Sequence, residues 1–156
     1  MLALALFLLL NALGSQELMR TQSQTKTTAA LFAEAEGEFF LAYRNAVRTF
    51  VARNPTFTGT VSVAQLNGLG YSFPSSLSSR AGNVVTTYGT SGRMIISFAA
   101  LTPGAIAHAF ELSEFDASLG LSNGSTWTSN ASGAIPQALP TPITQGSIVS
   151  VIVFGN

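Results

Sequence analysis

The chain has 156 residues, a length that ordinarily corresponds to one domain with a sizeable core. Hydrophobic residues make up 47% and charged residues only 9%, against roughly 25% charged in an average soluble domain, so Ser, Thr, Asn and Gln must solvate the surface. Seven basic residues balance seven acidic ones and there is no cysteine, which excludes the Lys/Arg patch that a nucleic acid or an acidic lipid headgroup would need, and equally disulfide frameworks and thiolate zinc sites.

Residues 1–10 read MLALALFLLL, with no charge before Glu17 and so no basic region ahead of the apolar run. As a helix, residues 1–13 would span roughly 20 Å, short of the ~30 Å hydrocarbon core of a bilayer. Leu2, Leu4, Leu6, Phe7, Leu8, Leu9 and Leu10 are the candidate membrane anchor within a segment 1–14. Three readings stay open for it: an uncleaved, shallow inner-membrane anchor, a signal segment cut near Ala12 to Ser15, or the end of a longer span. Each puts the remainder outside the cytoplasm. Residues 15–28 read as a polar stem of undetermined helicity, and residues 29–156 as a single α+β domain.

From residue 29 the pattern changes. Leu31, Ala35, Phe39, Ala42, Ala46 and Phe50 recur at steps of three and four, which predicts one buried face of an amphipathic helix; Phe32, Tyr43 and Val47 widen it. The expected core face is Leu31, Phe39, Tyr43, Ala46 and Phe50. Glu34, Glu36 and Glu38 lie in its first half and Arg44, Arg48 and Arg53 in its second, complementing the helix dipole, while Gly37 weakens the helix locally. Asn54-Pro55 ends it, because the residue before proline is pushed out of the helical region.

Ser62 is placed to cap a short turn over residues 63–66, and residues 67–80 read as a loop whose Tyr71 and Phe73 plug the core. Residues 83–88 and 93–99 are β-rich runs joined by Gly-Thr-Ser-Gly, which predicts an antiparallel hairpin. Thr102-Pro103 supplies a cap and a first-turn proline for a second short helix reaching about residue 115, with Ile106, Phe110 and Leu112 inward. Asn123-Gly124 marks another hairpin, residues 134–144 are extended around three prolines, and SIVSVIVF at 147–154 predicts a central strand buried on both faces. The expected architecture is α+β: a long N-terminal helix packed on an antiparallel β-sheet with a second short helix, pilin-like.

Reaction chemistry is sparse. Gly120-Leu121-Ser122-Asn123-Gly124 matches G-x-S-x-G, but a nucleophile elbow needs a strand-turn-helix setting and a later histidine, and His108, the sole histidine, lies upstream. His108 has Glu111 and Glu114 at helical spacing, yet one histidine and two surface carboxylates more often form a solvated helix face than a metal site. Glu34, Glu36 and Glu38, two apart, diverge around a helix and are expected to be solvated. The glycines build no phosphate-binding loop. No catalytic residue, cofactor, metal or nucleic-acid partner is therefore expected. Residues 117–156 carry no Asp, Glu, Lys or Arg but several large apolar side chains, so this neutral stretch is folded, and residues 117–147 are the candidate partner surface.

Tyr43-Arg44-Asn45-Ala46-Val47, then Asn54-Pro-Thr-Phe-Thr-Gly-Thr-Val61 with Gln65-Leu66, resembles the PilM family of type IVb and thin-pilus biogenesis proteins. Leu119-Gly-Leu-Ser-Asn-Gly-Ser-Thr-Trp127 and Ala138-Leu-Pro through Gly146-Ser147 to Val151 are similar to the family's ending. The resemblance implies an inner-membrane accessory protein with a periplasmic domain, belonging to the pilin transport apparatus or basal body and often encoded with conjugative pili. It implies pilin and other pilus-assembly proteins as partners, contact with the inner membrane through the N-terminus, and a capacity for homo-oligomerisation. The alternative is a minor pilin or pseudopilin incorporated into the fibre. A prepilin, however, has about twenty apolar residues after its processing glycine, whereas Gly14 is followed by Ser15 and Gln16.

Overall fold

A computed structural model describes the backbone from Leu2 to Gly155 and the side chains of residues 28–155. The chain divides into two compact units, Met1–Phe32 and Ala33–Asn156. The candidate anchor Leu2, Leu4, Leu6, Phe7, Leu8, Leu9 and Leu10 lies outside the described side chains. Among the described residues, no helix is long and apolar enough to cross a membrane.

Helix α1 (Leu2–Arg53) ends where Asn54-Pro55 was predicted to stop it. In the second unit its buried face runs through Phe40, Tyr43, Ala46, Val47 and Val51, at steps of three, one and four. The expected core face needs correcting at Leu31 and Phe39, which are 60% and 38% exposed, while Phe50 is half-buried against the core. The 3.6-residue period was read with the right pitch but, in the first half of the stretch, on the wrong phase. Gly37 has a positive reason to be glycine: a Cβ there would meet the Ala105 carbonyl oxygen at 2.8 Å and the Ala109 nitrogen at 3.1 Å. The second short helix crosses α1 at that point, and a side chain would force them apart.

Helix α2 (Val63–Asn67) is one capped turn, in which Ser62 and Gln65 satisfy each other's backbone N–H groups. Helix α3 (Ser75–Ser78) falls inside the stretch expected to be all loop; it is set by Pro74 and buries Leu77. The rest is strands β1 (Ala81–Tyr88), β2 (Gly92–Ala99), β3 (Leu119–Ser122), β4 (Gly124–Ser129), β5 (Gln137–Ile143) and β6 (Ile148–Phe154), with helix α4 (Pro103–Leu112) between β2 and β3. They form one curled six-stranded antiparallel sheet in the order β1-β2-β6-β3-β4-β5, so the fold is α+β. The last strand is interior, as its continuous apolar run predicts.

Side chains alternate along each strand and build a core on either face of the sheet. One face packs Val85, Ile95, Leu119 and Ile148 against Phe40, Val47 and Val51 of α1. The other buries Ile96, Trp127, Ile143 and Val149, with Phe98 lying over Gly82 directly opposite it. That second core forms because the sheet curls β5 over its own face; no helix among the described residues packs there. Both sheet edges are blunted. Gly59 exchanges two backbone hydrogen bonds of 2.8 Å with Val85 on β1, and Pro140 and Pro142 remove donors from β5.

Two ion pairs fasten α1 to the rest of its unit. Arg80 pairs with Glu36 and also donates to the carbonyls of Ser76 and Ala100. Glu36 is thus not among the solvated carboxylates expected, while Glu34 and Glu38 are exposed. Arg44 donates to Asp116 at 2.6 Å and to the Ser118 hydroxyl at 3.0 Å. Burial alone would raise the Asp116 carboxyl, but the Ser118 backbone N–H and the Arg44 guanidinium outweigh it and hold the group below its ordinary 3.8. A depressed folded-state value stabilises the fold above the unfolded value and loses that contribution as pH falls through it. Thermal melts from neutral pH down through the carboxylate range should therefore show a steeper acid decline in the wild type than in Asp116→Asn. Parallel acid limbs would count against the pair as a contributor.

Candidate functional site: a groove beside the short helix

Helix α4 begins where Thr102 accepts a hydrogen bond from the Ala105 N–H and Pro103 occupies its first turn. It ends in a Schellman closure, with the Phe115 N–H donating to the Phe110 carbonyl at 2.9 Å and the Glu114 N–H to Glu111 at 3.0 Å. Glycine normally takes the left-handed position of that motif, yet here Glu114 and Phe115 sit at φ 52° and 56°. Phe115 stays 61% exposed, so no burial of its ring offsets the backbone cost. Leu112, expected to face inward, is 49% exposed because the helix stops there and its inward stripe is Ala105, Ala109, Ile106 and Phe110.

Between α4 and strand β3 lies an open, apolar groove of about 380 Å³, walled by Leu101, Ile106, Ala107 and Phe110 on the helix side and Leu121 on the strand side. A second hollow of about 250 Å³ shares Phe110 and Leu121 and continues past Gly120 to Asn123, Thr128 and Asn130. The two together make a trough that is apolar at one end and amide- and hydroxyl-lined at the other. Neither part is lined by a charged side chain. At the polar end both amide atoms of Asn130 are buried without a hydrogen-bond partner. Groups in that state cost about 1–3 kcal/mol each unless something pairs them.

The groove draws part of its wall from the neutral stretch 117–147 singled out as a partner surface, and part from α4, whose Ile106 and Phe110 were expected to face the core. A signal was present: Pro103, Ile106, Ala107 and Phe110 fall on one helical stripe, continued by Glu111, and a stripe ending in a carboxylate borders solvent.

The other residues weighed for chemistry do not converge. Ser122 is buried in a strand-turn-strand setting, donating to the Ile143 carbonyl at 2.8 Å and accepting from the Gly124 N–H at 3.0 Å. His108 turns toward α1, its Cδ2 near Gly37, and its Nε2 is buried without a partner, while Glu111 and Glu114 are exposed. Among the described residues no group of three His, Cys, Asp or Glu could hold a metal.

The sequence model of one family, PilM, matches residues 5–151. Among solved structures, a crystal structure designated PilM from Escherichia coli B7A superposes with a TM-score of 0.57 at 18% identity, covering 78% of this chain and 92% of that one. At that identity the likeness speaks for the fold. No curated protein matches.

Proposed function

Since the chain belongs to the PilM family and is thus a pilus-related protein, we propose that it is a non-catalytic assembly component of a bacterial type IV pilus biogenesis apparatus. In this reading the N-terminal segment holds the protein at the inner membrane, and the periplasmic α+β unit docks pilin or basal-body proteins through the trough between α4 and β3. The observation that carries the docking role is that trough: an open hollow beside α4, walled by Leu101, Ile106, Phe110 and Leu121 and lined by no charged side chain. An apolar hollow left open at the surface marks a place where another surface belongs.

A minor pilin remains the competing role, because a helical spine with an α+β head also suits a fibre subunit. Deleting the gene and fractionating the tagged wild-type protein separates the two. The assembly role requires loss of pili together with retention in inner membranes. Recovery in sheared fibres would make the chain a fibre component, and unchanged piliation would remove it from assembly altogether.

A further inference from the structure

We draw no further inference here: the strongest candidate, the exposed apolar side chains of Leu112 and Phe115 where α4 ends, carries nothing because nothing in the structure shows what covers them.

Discussion

Phe40→Ala should cost the folded unit about 3–5 kcal/mol, whereas Phe39→Ala, one residue earlier, should cost about 1 kcal/mol or less. The two side chains are chemically identical and differ by about 100° around the helix axis. That rotation takes Phe40 to full burial against the sheet and leaves Phe39 38% exposed. Removing the Phe40 ring forfeits its transfer free energy and opens a cavity in the core between α1 and the rest of the unit. Removing the Phe39 ring deletes mostly surface that water already reaches. Urea denaturation of the two variants, at equal slope, reads the difference directly. Equal destabilisation would mean that α1 is seated on the sheet in another phase, nearer to the stripe the sequence suggested.

Asn83→Ala should cost about 2–4 kcal/mol. The Asn83 amide, 2% exposed, is saturated: it donates to the Tyr43 hydroxyl at 2.7 Å and to the Val61 carbonyl at 2.9 Å, and accepts from the Val61 N–H at 2.8 Å. It thus ties three separate stretches of chain, α1, the segment after it, and β1. Alanine would strand both backbone groups of Val61, itself 2% exposed, in a water-free setting. Tyr43→Phe removes only a hydroxyl that accepts one of these bonds and should cost about 1 kcal/mol. The double variant should fall short of the sum, because the two share one hydrogen bond. Additive losses in a denaturation cycle would show the Asn83–Tyr43 bond to contribute nothing.

Asn83 also heads a polar row, Asn83, Ser97 and Ser150, that runs across β1, β2 and β6 in direct register beneath α1. All three are buried, and the two serine hydroxyls make no hydrogen bond. Small side chains there let Tyr43 and Ala46 approach the sheet closely. The location of the row could not be read from one strand at a time, since Ser97 and Ser150 lie 53 positions apart and meet only through strand register.

By itself the sequence determined whatever rests on neighbours along the chain. The helix stop at Asn54-Pro55, the Ser62 and Thr102 caps, both hairpins and the interior last strand follow from local backbone restrictions and side-chain period, which no distant contact needs to complete. The family resemblance belongs here as well, because it rests on consecutive residues. Tertiary structure alone decided the phase of α1, since a wide apolar stripe offers several faces and only the sheet selects Phe40 over Phe39. It decided that Gly37 is a crossing point, that Glu36 and Arg44 are fasteners, and that the sheet curls far enough to bury Trp127. The trough is of the same kind: Ile106 and Phe110 come from α4, Leu121 from β3 and Asn130 from the loop after β4, and a concave surface exists only once those parts are packed.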